Sequence, residues 1–232
     1  MKIFSIGSCR IQNPIKSILS DKIEYPPCEC KKFCTGFVHT HSTNEIIQYI
    51  RYLKNEIELP DELNHLVIHN KIKCKSQTNY VKDNFKNAEV VIIEISSVKN
   101  IIIDGKYYVN IMKYNHNIND TPKIRKRKVI KKETPDEVIA NLHTISSLLG
   151  DKKLMLQSHM NIPLDDGSIN KPRNELIQAV LKYGKDNNVK VFDPTVFVNE
   201  LGVKGATLEG KLTEFSAEMI EKVKDYYRGQ LS

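Results

Sequence analysis

Lys2-Ile3-Phe4-Ser5-Ile6-Gly7-Ser8-Cys9-Arg10 decides the reading of this 232-residue sequence. Lys2 to Ile6 is a short apolar run that breaks at Gly7-Ser8, and the amphipathic stretch Ile11 to Leu19 follows at once. That order predicts strand, tight turn and helix, the opening unit of an α/β domain. The rest of the chain repeats the rhythm. Ala88 to Ile95, reading AEVVIIEI, is nearly continuously apolar and β-branched, as a central strand covered on both faces must be. Lys153 to Gln157 predicts another buried strand and Val189 to Phe192 a short one.

Helical signals separate these runs. Thr43 is placed as an N-cap ahead of Ile46, Ile47, Ile50 and Leu53. Thr134-Pro135-Asp136-Glu137 combines a capping threonine, an N-terminal proline and a glutamate three residues on, and Gly150 ends the helix it starts. Further helices are expected from about Pro172 to Tyr183 and from near Ser216. Between Asn100 and Lys132 the rhythm fails. A hairpin over Ile101 to Val109, turning at Asp104-Gly105, leads into a basic tract, Lys123, Arg125, Lys126, Arg127, Lys128, Lys131 and Lys132. The expectation is a three-layer α/β/α sandwich with a central, mainly parallel sheet, as in flavodoxin-like folds. It would be a single domain over residues 1–232 with an inserted hairpin and a flexible, solvated basic loop at about 100–132.

Composition sets outer limits. With 40% hydrophobic and 27% charged residues the chain is globular. No stretch approaches the roughly 18 apolar residues of a membrane span, and the first residues turn polar too soon for a signal peptide. Five cysteines, an odd number, argue for a reducing compartment, so a cytoplasmic protein is expected. The net charge of +7 is concentrated in the tract above. That tract has no interleaved aromatics, so no nucleic-acid partner is expected. Neither G-x-x-x-x-G-K-[ST] nor G-x-G-x-x-G occurs, which removes the main support for ATPase and dinucleotide chemistry.

In a parallel sheet the loops after the strands share one crevice. Ser8 is the candidate nucleophile there, with the first free amides of the helix as oxyanion donors; a plain helix cap is the bland alternative. Cys9 is the rival nucleophile. His159, immediately after a buried strand, is the candidate base, and Asn161 a substrate or oxyanion contact. Arg10 and Arg173 are candidates for binding phosphate, and Ser96 follows the central strand. His39 and His41 alternate along an extended segment and suit a site wall or a metal. Cys28, Cys30 and Cys34 form C-x-C-x3-C with no second pair and Cys74 is alone, so no metal is expected.

The strand ending in Ile6-Gly7-Ser8-Cys9-Arg10 resembles the first block of SGNH/GDSL-type hydrolases, nearest the GSCFA-like and capsule-polysaccharide acetyltransferase branches. The resemblance implies a serine, Ser8, after the first strand and an oxyanion glycine, for which Gly36 is the candidate. The third block usually carries an asparagine where this chain reads Ser96-Ser97, with Asn100 further on. The family's final Asp-x-x-His is replaced, with Lys211 and Glu214 before Phe215-Ser216. Either His159 or a histidine of the 36–41 segment would then act as base, or Glu214 would, or the acid–base chemistry would not be done by the usual residues. Transfer to an acceptor needs mainly positioning and one base. The expected function is an acetyl-coenzyme A-dependent acetyltransferase acting on a sugar, amino sugar or nucleotide sugar in polysaccharide biosynthesis. A carbohydrate O-acetyl esterase and a non-catalytic glycan- or nucleotide-binding module on a decayed SGNH scaffold are the alternatives.

Overall fold

The computed structural model describes residues 1–19, 40–67, 75–109, 126–163 and 166–231. In chain order its elements are β1 (Ile3–Ile6), α1 (Cys9–Leu19), α2 (Thr43–Leu53), α3 (Asp61–Val67), α4 (Lys75–Asn87), β2 (Val90–Glu94), β3 (Lys99–Ile103), β4 (Tyr107–Val109) and β5 (Lys128–Lys132). There follow α5 (Pro135–Leu149), β6 (Lys153–Gln157), α6 (Lys171–Asp186), β7 (Lys190–Phe192), α7 (Thr195–Ala206), β8 (Thr207–Leu208), β9 (Lys211–Phe215) and α8 (Ala217–Leu231). Strands β1, β2, β6 and β7 pair in that order, all parallel.

The register aligns the strand ends. Ile6 lies beside Ile93, Glu94 beside Gln157, and Gln157 beside Phe192, so the loops that follow emerge at one edge. Every residue of β2 is buried, and its side chains divide between two cores. Val91 and Ile93 join Ile46 and Ile50 of α2, Phe85 of α4, Leu142 and Ile145 of α5 and Val180 of α6. Val90 and Ile92 join Ile11 and Ile15 of α1, Val198 of α7, and Met219 and Val223 of α8. Alternation along one strand thus feeds both faces of the sheet, which makes the architecture a three-layer α/β/α sandwich.

Local chemistry places the helix ends. The Thr134 hydroxyl accepts from the Glu137 amide while the Glu137 carboxylate accepts from the Thr134 amide, a reciprocal cap, and Gly150 stops α5 at φ +61°. Asn170 caps α6 by accepting from the Arg173 amide. Gly184 lets α6 lie against β7, because a Cβ there would strike Val191. For α2 the sequence expectation needs correcting. Ser42, not Thr43, is the N-cap, and its hydroxyl accepts from the Glu45 amide. Thr43 instead points its hydroxyl at Glu133.

The insertion also differs from its expectation. The hairpin is present, with Asp104 at φ +55° and Gly105 at φ +65° in a three-residue loop between the paired Ile103 and Tyr107. Part of the expected loop, however, is the strand β5, paired antiparallel with β3 from Lys128 to Lys132. Its five residues carry three lysines, and Val129 and Ile130 are both exposed, so no buried alternation marked it in the sequence. Arg127 binds Asp104 and Glu62, and Lys131 binds Glu137, which ties the described part of the basic tract to neighbouring elements. Lys123 and Arg125 lie outside the described residues. Among the described residues no helix is long and apolar enough to cross a membrane.

Candidate functional site

The site begins with the turn after β1. Gly7 has φ +150°, and a Cβ there would lie 2.6 Å from Glu94 Cβ and 2.9 Å from Ile11 Cγ2. Only glycine leaves room for the last residue of β2. Glu94 fills that room and is wholly buried. The Ser8 hydroxyl donates to Glu94 Oε2 at 2.5 Å and the Ser8 amide donates to the same oxygen at 2.8 Å. Arg10 Nε donates to Glu94 Oε1 at 2.6 Å, and Arg10 Nη1 to the Thr213 carbonyl of β9 at 2.7 Å. Gln12 closes the turn by donating to the Gly7 carbonyl.

A buried carboxylate is tolerated only with such partners. Burial works to raise the Glu94 pKa, but the Arg10 charge and the bonds from Ser8 and Arg10 outweigh it and hold the carboxyl below its ordinary range. Glu94 is therefore ionised at neutral pH. Cys9 goes the other way. Burial pushes its thiol up, Glu94 and Glu214 add to that, and Arg10 only partly offsets it. A thiol kept protonated is a poor nucleophile, so of the two rivals the local field favours Ser8.

His159 follows β6 and is 3% exposed. Its Nδ1 lies 2.7 Å from the Met160 carbonyl, an acceptor only, so Nδ1 carries the hydrogen and Nε2 is the basic nitrogen. Burial, and then the charges of Arg10, Arg173 and His41, hold the imidazole well below its ordinary range against the Met160 bond. It is neutral at physiological pH. Arg173, in the first turn of α6, is half-buried, has no carboxylate partner among the described residues, and is itself lowered by burial and by Arg10. No hydrogen bond joins His159 to Ser8; the serine hydroxyl is committed to Glu94.

The neighbouring loops are stitched to this end of the sheet. The His41 carbonyl accepts from the Ser96 and Ser97 amides, and the His41 ring shares a 3.0 Å hydrogen bond with the Ser96 hydroxyl. The Ser158 hydroxyl donates to Asp193, and the Asn161 amide donates to Thr195 Oγ1, leaving Asn161 Oδ1 buried without a partner among the described residues. Asn100 is drawn elsewhere, accepting from Ser42. Lys211 and Glu214 bind each other on β9, and Glu214 makes no hydrogen bond to Ser8. Gly36, His39, Cys28, Cys30, Cys34 and Cys74 lie outside the described residues. Among the described residues no group of three or more His, Cys, Asp or Glu is arranged to hold a metal ion.

Two outcomes differ from the sequence reading. The first free amides of the helix were expected as oxyanion donors, and the Ser8 amide at its start is occupied by Glu94. And Glu94 itself was hidden inside an apolar run. Its signal was there, since a charge within VVIIEI must be buried with partners, and partners for a carboxylate mean arginine or hydroxyl groups.

The family model described as the TviD N-terminal domain matches residues 1–128 and 113–225, which overlap and together cover most of the chain. No curated protein matches it.

Proposed function

Because the chain belongs to the TviD N-terminal domain family, we propose that it is an acetyltransferase of capsule polysaccharide biosynthesis, moving an acetyl group from acetyl-coenzyme A to a sugar or nucleotide-sugar hydroxyl or amine. The family takes its name from a Vi capsule polysaccharide biosynthesis protein. The observation that carries the reading is the hydroxyl of Ser8, at the carboxyl end of β1, donating to an ionised buried carboxylate at the sheet edge from which His159 also emerges. A serine becomes nucleophilic when an adjacent group can take its proton.

In this reading Ser8 Oγ attacks the acetyl carbonyl carbon and carries the acetyl group, and His159 serves as base through Nε2. Arg10 is spent on Glu94 and Thr213, so Arg173 is the better placed of the two arginines to meet a phosphate of the coenzyme or of a nucleotide sugar. Ser96, His41 and Asn161 line the same strand ends and would orient the acceptor, with Gly36 and His39 as further candidates for that role. The protein would work in the cytoplasm, where acetyl-coenzyme A is available.

The test is to incubate the protein with acetyl-coenzyme A and a panel of sugars and nucleotide sugars, following free thiol and product mass. Transfer that Ser8→Ala lowers at least about 100-fold, with coenzyme binding retained, is the expected result. Neither thiol release nor coenzyme binding would remove the reading. Rapid cleavage of p-nitrophenyl acetate without transfer to any sugar would favour a carbohydrate esterase instead.

A further inference from the structure

We infer that Glu94 is the catalytic residue that accepts the Ser8 proton, leaving His159 to deprotonate the acceptor. The inference rests on the acyl-transfer reading of this site. In the resting geometry the serine proton already points at Glu94 Oε2, at 2.5 Å, and the other carboxylate oxygen is fixed by Arg10. His159 makes its hydrogen bond to Met160 and none to Ser8. The close fit of Gly7 to Glu94 holds the carboxylate against the nucleophile's own turn.

A turn clamp would explain the bond from the Ser8 amide. It does not require an ionised acceptor for the hydroxyl, which a neutral amide side chain would satisfy equally well. The groups facing Glu94 are Ser8, Arg10 and the Cys9 thiol from the turn and α1, and the Tyr227 phenol from α8, whose pKa burial raises. The Cys9 thiol and the Tyr227 phenol are both pushed up by burial, away from the carboxylate range. Ser8 activation should therefore lack an imidazole inflection and fall only when Glu94 is protonated. Basicity falls with pKa, so a carboxylate this acidic predicts modest turnover.

The proton balance is complete. As Ser8 Oγ bonds to the acetyl carbon, its proton passes to Glu94 Oε2; the carbon–sulfur bond breaks and the departing thiolate takes that proton. In the second half the acceptor gives its proton to His159 Nε2 as it bonds to the acetyl carbon. The Oγ–carbon bond then breaks, the serine oxygen takes a proton from solvent, and His159 releases the one it removed to solvent.

A fluorophosphonate probe reads Ser8 nucleophilicity directly, by intact mass of the full chain, as a function of pH. Glu94→Gln is expected to slow labelling about 10²–10⁴-fold. His159→Gln should leave labelling near wild type while abolishing transfer to sugar, and Ser8→Ala should not label. Wild-type labelling should be flat through the imidazole range. Glu94→Gln that labels like wild type, or a wild-type profile rising through an imidazole inflection that His159→Gln removes, overturns the inference while acyl transfer stands. A wild-type protein that neither labels nor transfers overturns both. Should Glu94→Gln not fold, the labelling rate of His159→Gln and that of Glu94→Asp, which keeps the base but withdraws it, decide the matter.

Discussion

Gly7 is the residue on which the site turns, because it satisfies two conditions at once. Its φ of +150° is disfavoured for L side chains, and its missing Cβ is the space that Glu94 occupies. Gly7→Ala should lower stability by about 2 kcal/mol or more and displace Glu94 from Ser8. Gly150→Ala makes the contrast: φ +61° with ψ −126° strains an L residue there too, but nothing lies within 4 Å, so its loss of about 1–3 kcal/mol should be the smaller of the two and leave Ser8 labelling unchanged. Urea midpoints of the two variants, with probe labelling of Ser8, check both; equal losses would mean that the close approach to Glu94 is unimportant. At this scale the sequence was half legible. Ser8, Ser96, His159 and Asn161 follow apolar runs, and the topology of a parallel sheet sends such residues to one edge. Glu94 was not found, because a charge inside an apolar run reads as part of the strand until its partners, far away in sequence, are known. The separation of Ser8 from His159 by hydrogen bonding likewise depends on side-chain geometry that no spacing encodes.

Element boundaries were legible where side chains do the capping themselves. Thr134, Pro135 and Glu137 place the start of α5 to the residue, since the cap is a local reaction between neighbouring groups. Thr134→Ala should therefore cost about 1 kcal/mol in a denaturant titration, with little effect on Ser8 labelling; no loss would mean that packing of Val138 and Leu142 alone fixes the helix. At α2 two hydroxyl residues compete. Ser42 wins the cap while Thr43 turns to Glu133, a residue 90 positions away that the local sequence cannot weigh. The same limit explains β5, whose lysines resemble a solvated loop and whose pairing with β3 is made by backbone groups. α1 also shows tertiary override: Pro14 sits inside the helix, where Ile11 and Ile15 anchor it in the core under β2 and beside α8.

The fold as a whole was the most legible level, because a strand buried on both faces needs helices on both sides and parallel strands need crossovers. The same burial gives the molecule opposed proton linkages. His159 is buried neutral with its pKa depressed below 6.5, so its contribution is present above that value and lost as pH falls through the folded pKa. Glu94, depressed below 4.5, behaves alike at more acid pH. Glu45 has the reverse sign. Burial pushes its pKa well above 4.5, the nearby Glu133 adds to this, and only the bond from the His41 amide opposes it. The native state then holds a proton that the unfolded chain releases above 4.5, so stability falls as pH rises from there through the folded value. Glu133, raised chiefly by burial, adds to the same slope. Glu45→Gln removes one source of it while keeping an oxygen for the His41 amide. The variant should match wild type near about pH 4 to 5 and become progressively more stable than it toward about pH 8, read as a widening gap in denaturant midpoints. A gap that is constant with pH, or that widens toward acid, would mean that Glu45 is ionised in the folded chain and that its buried carboxyl has found a cation.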